Sequence, residues 1–255
     1  MCRNYNITAH YSSLAVGTLG MALGLLFLAF KADIFPRKQL MSTSILLASV
    51  LTIGSSFVPN FELLICINFL KGFALSGVTA VALAYLSEEL SIGALGLAIG
   101  LYLSGNTVGG MSGRVLATLI SGMYNWHIAV AFVGGLCLII GIIFVYIFPA
   151  SKHFIPKKVH SKRKLRMMYR YFRDRKLNAL FCIGAVIMGS FVSVYNYLGF
   201  RLEAAPFSLP HTVVASIFLM YIIGVAGSML AGKWSTTKAI PSILWKTILL
   251  SFCGI

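Results

Sequence analysis

Acidic residues are almost missing from this chain: Asp33, Glu62, Glu88, Glu89, Asp174 and Glu203 are the six in 255 positions. Each stands at the end of an apolar run or in a loop, so the pair of buried carboxylates that an intramembrane aspartyl protease needs to share a proton is not there. Histidine is scarce too. His10, His127, His153, His160 and His211 are terminal or interfacial, which leaves a serine–histidine hydrolase without a base beside a buried serine. The five cysteines stand singly with no CxxC spacing, so they build neither a zinc nor a redox site and read as small buried residues. Charge of either sign is sparse, at 11% of residues against about a quarter in a soluble domain. No enzyme chemistry and no water-solvated surface emerges from this inventory.

What is present is apolar, at 58% of residues. A helix that crosses a bilayer needs about 20 mostly apolar residues. Uncharged runs of that length predict seven complete spans near 11–30, 40–58, 63–86, 92–119, 127–148, 177–200 and 213–231, with part of an eighth from 240. The leader of the first run holds one basic residue, Arg3, and no small-residue cleavage pattern follows it, so that run reads as a retained span and not a signal peptide. The expected fold class is therefore all-α and polytopic in a membrane.

The net charge of +15 would point to nucleic acid in a soluble protein, yet eleven of the 21 basic residues lie within 152–176, between two spans. Positive loops stay in the cytoplasm. The other loops alternate as that rule requires: Lys31, Arg37 and Lys38 follow the first run, 59–62 and 122–126 hold no basic residue, and Lys233 and Lys238 follow the seventh run. The chain is thus expected to start outside, with its central loop in the cytoplasm and its spans in the cell membrane. It divides into an N-terminal bundle at 1–150, a basic linker at 151–176 and the start of a second bundle at 177–255.

Within the linker, Leu165, Met168, Tyr169 and Phe172 recur at helical spacing with Arg166, Arg170 and Arg173 on the other side. That is the pattern of a helix lying in the headgroup layer. It serves as a topological anchor between the halves or as a regulatory surface for lipid or nucleic acid. A short repeat, Leu28-Ala-Phe-Lys-Ala-Asp33 against Leu230-Ala-Gly-Lys-Trp-Ser235, marks the same end of a span in each half, as parallel repeats do. The final piece is too short to cross, because nine residues follow Lys246. The chain looks cut from a longer protein at both ends, and a remnant that folds only as a membrane scaffold stands as the rival to an active protein.

Polar groups inside spans are costly in hydrocarbon unless they face the bundle interior. Asn68, Lys71, Gly72, Leu75 and Thr79 share a face of the third span, which aims Lys71 at a polar cavity; the alternative is a side chain snorkelling to the headgroups. Asn106, Arg114, Tyr195 and Asn196 are the other candidates for a substrate path, with Arg114 placed either there or at the interface. A lysine in the third span and none deep in the last does not fit a retinal Schiff base.

Two motifs carry a resemblance. Ala29-Phe-Lys-Ala-Asp33-Ile-Phe-Pro36-Arg37-Lys38 resembles the G-x-x-x-D-x-x-G-R-K loop of major facilitator transporters, with Ala29 and Pro36 where the family has glycines. Gly105-Asn-Thr-Val-Gly109-Gly110, followed by Gly113, resembles the G-P-x-x-G-G signature of the drug:proton antiporter branch, with Asn106 in place of proline. The runs 77–89, 100–114, 188–192 and 196–202 extend the likeness along nearly the whole chain. The resemblance implies alternating access between two bundles, a lipid bilayer and a small-molecule substrate as partners, protons as the coupling ion, and neither cofactor, metal nor nucleic acid. It assigns Asp33, Arg37 and Lys38 to a gate. On physical grounds Asp33 and Arg37 are i, i+4 neighbours if the helix continues, and the basic pair reaches Glu88 or Glu89 on the next turn at that end; ordinary positive-inside charge is the plainer account of Arg37 and Lys38. The small residues Gly105, Gly109 and Gly113 are expected to admit a neighbouring helix closely. No carboxylate lies inside a complete span to carry the proton; in the family such a group can sit in a first span that has no counterpart here.

Overall fold

Apolar runs in lipid have no water to satisfy their backbone groups, so each must close its hydrogen bonds within itself as a helix. The structure, a computed structural model, describes residues 2–31, 34–149, 161–203, 207–209, 213 and 221–235. These form α1 (Cys2–Lys31), α2 (Arg37–Ser55), α3 (Phe61–Glu89), α4 (Ile92–Met123), α5 (Trp126–Ile147), α6 (Ser161–Arg173), α7 (Arg175–Glu203) and α8 (Tyr221–Ser235). The described residues contain no strand. The expected final piece from 240 and Lys238 lie outside the described residues.

Among the described residues, α3, α5 and Arg175–Val194 of α7 are long and apolar enough to cross a bilayer, and Ala15–Leu28 of α1 is a shorter apolar stretch. Helix α2 carries many hydroxyls. Those hydroxyls turn back onto their own helix: Ser49 Oγ donates to the Ile45 carbonyl at 2.8 Å, Thr52 Oγ1 to Ala48 at 2.7 Å and Ser55 Oγ to Thr52 at 2.7 Å. A polar side chain satisfied this way lowers the apolar content of a helix without leaving an unmet donor in lipid. Among the described buried side chains, the hydroxyl of Ser42 is the exception, with no partner.

Local sequence sets the helix ends. Pro36 stands at φ −55° and ψ 132°, and its carbonyl accepts the Leu40 N–H at 3.1 Å. Proline fixes φ and forbids a helix running through it from behind. The chain therefore breaks between α1 and α2, and Arg37 opens a new helix. This corrects the expectation that Asp33 and Arg37 sit one turn apart on a continuous helix; Asp33 itself lies outside the described residues. Asn125 caps α5 by accepting the Ile128 N–H at 2.9 Å, and Asp174 caps α7 by accepting the Lys176 N–H at 2.9 Å.

Packing is governed by small residues. A Cβ built on Gly20 would strike the Phe69 carbonyl, one on Gly24 the Ser76 hydroxyl, and one on Gly72 the Gly17 carbonyl. Rising numbers on α1 meet rising numbers on α3, so the two run parallel with backbones in contact, the arrangement that glycine alone permits. On α2, Ser44 fills the space beside Gly77 of α3, and Ile53 and Ile45 fill those beside Gly134 and Gly141 of α5. Both pairings are antiparallel. A Cβ on Gly105, Gly109, Gly110 or Gly113 would meet no atom of the described residues within 4 Å. Among the described residues, close backbone approach is made at Gly20, Gly24 and Gly72.

Candidate functional site

Alternation of the helices gathers the basic connections at one end of the bundle. There Arg37, at the first turn of α2, reaches the last turn of α3. Its Nε donates to Glu88 Oε2 at 3.1 Å, and a terminal nitrogen donates to Oε1 at 2.7 Å. The planar guanidinium fork matches the carboxylate in a two-pronged contact. The Arg37 side chain is 7% exposed and that of Glu88 33%, so the arginine is the partner that cannot reach water. Lys38 is half-buried beside it, and Glu89 follows as the last residue of α3.

An aromatic floor supports this pair. Met41, Val81 and Tyr85 are buried together and pack on Phe144 and Phe148. The Tyr85 and Phe148 rings lie 4.9 Å apart, and the Tyr85 hydroxyl donates to the Pro149 carbonyl at 3.3 Å. A charged pair on a rigid apolar base can break and re-form without the helices beneath it unfolding. Removing one partner strands a buried charge, which costs about 3–5 kcal/mol when both ions are buried. Because Glu88 is one-third exposed, Glu88→Ala is expected to destabilise the fold by about 2 kcal/mol, or a fall of about 4–8 °C in the melting temperature of the detergent-purified protein. An unchanged melting temperature would show that the pair is only surface charge.

The far end of the bundle has a different lock. Ser56 Oγ donates to the His127 carbonyl at 2.9 Å, and His127 Nδ1 bonds the Ser56 carbonyl at 2.6 Å. This reciprocal clamp joins α2 to α5.

The candidate path residues are distributed unevenly. On α3, the side bearing Phe69, Gly72, Phe73 and Ser76 meets α1, and the side bearing Gly77, Val81 and Tyr85 meets α2 and α5. Helical spacing sets Lys71 and Leu75 off the α1 side, whereas the Asn68 carbonyl lies 3.7 Å from the Cβ position of Gly17 on α1. Leu75 is 45% exposed, and Asn68 and Lys71 are half-buried. Gly72, expected on the face of Lys71, belongs instead to the α1 contact. Asn106 is exposed and Arg114 half-buried on α4. Tyr195 and Asn196 lie on α7, with side chains outside the described residues. The structure therefore brings Arg37 and Glu88 together and sets half-buried Asn68 and Lys71 about one turn apart on α3.

Three features were not expected from sequence. Buried Ser104 bonds Ser228 Oγ at 2.8 Å and the Val225 carbonyl at 3.3 Å, a polar seam that packs α4 against antiparallel α8. Lys164 of α6 donates to the Phe30 carbonyl near the end of α1 at 2.6 Å. The Ser56–His127 clamp is the third. For Ser104 a signal existed, since it immediately precedes the glycine motif; a lone lysine in a loop of eleven basic residues offered none.

Among the described residues no group of histidine, cysteine and carboxylate side chains is placed to hold a metal ion. In comparison with known proteins, the family model described as Major Facilitator Superfamily matches residues 2–255. The chain is 37% identical over 247 residues to the uncharacterized MFS-type transporter YybF of Bacillus subtilis, covering 97% of this chain and 61% of that protein. It is 36% identical over 255 residues to an uncharacterized transporter of Buchnera aphidicola subsp. Schizaphis graminum, at 99% and 62% coverage. It is 38% identical over 224 residues to the inner membrane transport protein YnfM of Escherichia coli, at 88% and 54%. The chain thus spans between 54% and 62% of the length of these three relatives.

Proposed function

The chain belongs to the major facilitator superfamily, and we propose that it serves the movement of a small solute across the bacterial inner membrane, as efflux in exchange for protons. Membership makes it an all-helical, multi-pass membrane protein. The finer reading is of a carrier and not an enzyme, in which a bundle formed by 1–150 and another beginning at 177 rock about a central path. The observation that carries it is Lys71, a half-buried charge within α3 one turn from Asn68. A charge held within a span is costly in hydrocarbon unless it faces a polar interior, which is what a solute path supplies. The seam between α4 and α8 supports the same reading. Its contact is made by hydroxyls and small residues, which slide at lower cost than interlocked large side chains.

On this account Arg37 and Glu88 act as a latch at the cytoplasmic end, with Asp33, Lys38 and Glu89 as its neighbours, and Gly105, Asn106, Gly109, Gly110 and Gly113 line a helix that moves against its surroundings. Arg114, Tyr195 and Asn196 extend the path. Export and proton coupling rest on the likeness of the α4 glycine motif to that of antiporters. Cells producing the protein are expected to accumulate an amphipathic fluorescent dye severalfold less than cells without it, with accumulation restored by a protonophore. Equal accumulation across a chemically diverse dye panel contradicts export, and a difference that survives the protonophore contradicts proton coupling.

A further inference from the structure

The helix α6 carries Arg163, Arg166, Arg170 and Arg173, all exposed, and has no acidic residue in it. Its apolar side chains are exposed as well: Leu165 is 61%, Tyr169 68% and Phe172 62% accessible. Large rings and a row of guanidinium groups left open together on one helix suit neither water nor a hydrocarbon core, but they suit the boundary between them. Three contacts fix where that helix lies. Buried Lys164 donates to the Phe30 carbonyl at 2.6 Å, anchoring one end to α1. A single residue, Asp174, joins α6 to α7 and caps α7. Phe172 meets Phe181 of α7 with ring centroids 6.2 Å apart. Phe172 of α6 is thereby set against an early turn of α7, a helix long and apolar enough to cross a membrane, and an amphipathic helix at that position suits the headgroup layer.

At the elbow is a groove of about 570 Å³ lined by Met167, Arg170, Tyr171, Arg173, Asp174 and Leu177. Two guanidinium groups offer paired donors to phosphate oxygens, and Met167, Tyr171 and Leu177 provide an apolar wall for the glycerol and the start of an acyl chain. We infer that the α6–α7 elbow is a binding surface for an anionic phospholipid, with Arg170 and Arg173 holding its phosphate. An anionic headgroup is favoured over a zwitterionic one because no ammonium of its own offsets the arginines. Each basic residue near an anionic membrane surface adds severalfold to the attraction. The inference rests on the chain's place in the membrane and not on transport, so it stands or falls apart from the efflux reading.

Hydrogen–deuterium exchange of residues 161–173 tests it, with the full chain in nanodiscs of phosphatidylcholine alone or of phosphatidylcholine with one-quarter phosphatidylglycerol. Exchange is expected to slow by about tenfold in the anionic discs, and the slowing to shrink as salt rises toward 0.5 M, where the screening length falls to a few ångströms. The double variant Arg170→Gln/Arg173→Gln should exchange alike in both lipids, while Arg170→Lys/Arg173→Lys retains most of the difference. Equal exchange of the unaltered chain in both discs overturns the proposal, as does slowing that is indifferent to salt. Protection in neutral discs by glycerol phosphate in solution, or by a short oligonucleotide, also overturns it by assigning the arginines to a soluble phosphate or to nucleic acid.

Discussion

Replacing Gly72 with leucine is expected to prevent the N-terminal helices from assembling. A Cβ at that position would meet the Gly17 carbonyl oxygen directly and would stand 3.0 Å from both the Gly17 carbonyl carbon and the Met21 nitrogen. Those atoms are backbone, and they cannot turn aside as a side chain does. Overpacking of side chains costs about 1–3 kcal/mol, and a clash with a helix backbone belongs at or above the top of that range. The α1–α3 contact also includes Gly20 against Phe69 and Gly24 against Phe73 and Ser76, so one wedge at Gly72 separates the whole parallel pair. Gly109→Ala is the matched comparison, because no atom of the described residues lies within 4 Å of its Cβ position and alanine favours the helix by about 1 kcal/mol. Fluorescence-detected size exclusion and thermal melting in detergent should show Gly72→Leu aggregated or strongly destabilised, and Gly109→Ala unchanged or more stable. A monodisperse Gly72→Leu protein melting normally would contradict the parallel contact.

Lys71→Ala is expected to reduce solute flux by about thirty- to a hundredfold while leaving the folded protein intact. The charge is half-buried on α3 and takes no part in the glycine contacts that hold α1, so its removal leaves that seam closed. A hydrogen bond to a charged group contributes about 1.5–3 kcal/mol, and each 1.36 kcal/mol is tenfold in rate. Lys71→Arg keeps the charge and should retain measurable flux. If Lys71→Ala transports at the rate of the unaltered protein, Lys71 is not on the solute path.

Much of the fold was legible in the sequence because lipid imposes one answer on long apolar runs. The linker helix was legible for the same kind of reason: Leu165, Met168, Tyr169 and Phe172 repeat at helical spacing, and α6 is a helix over Ser161–Arg173. What sequence could not give was which glycines touch. Gly20 and Gly24 share the four-residue spacing of Gly105, Gly109 and Gly113 and make a close contact with α3, because spacing records a smooth helix face and not which partner covers it. Pro36 carried a readable signal against a continuous helix from Asp33 to Arg37, and the break follows from its fixed φ. The reach of Arg37 to Glu88 was legible as two charges at adjoining helix ends. Its burial was not, since burial depends on how helices distant in the chain pack together and not on the two charges alone.

The proposed function, the latch and the lipid surface all depend on the helices crossing the bilayer alternately, with the basic linker in the cytoplasm. Cysteine or reporter insertions after Asn60 and after Ile155, labelled from outside in intact cells, measure this directly. Labelling at the first position and protection at the second is the result expected; accessibility of both sites from the same side would contradict the account.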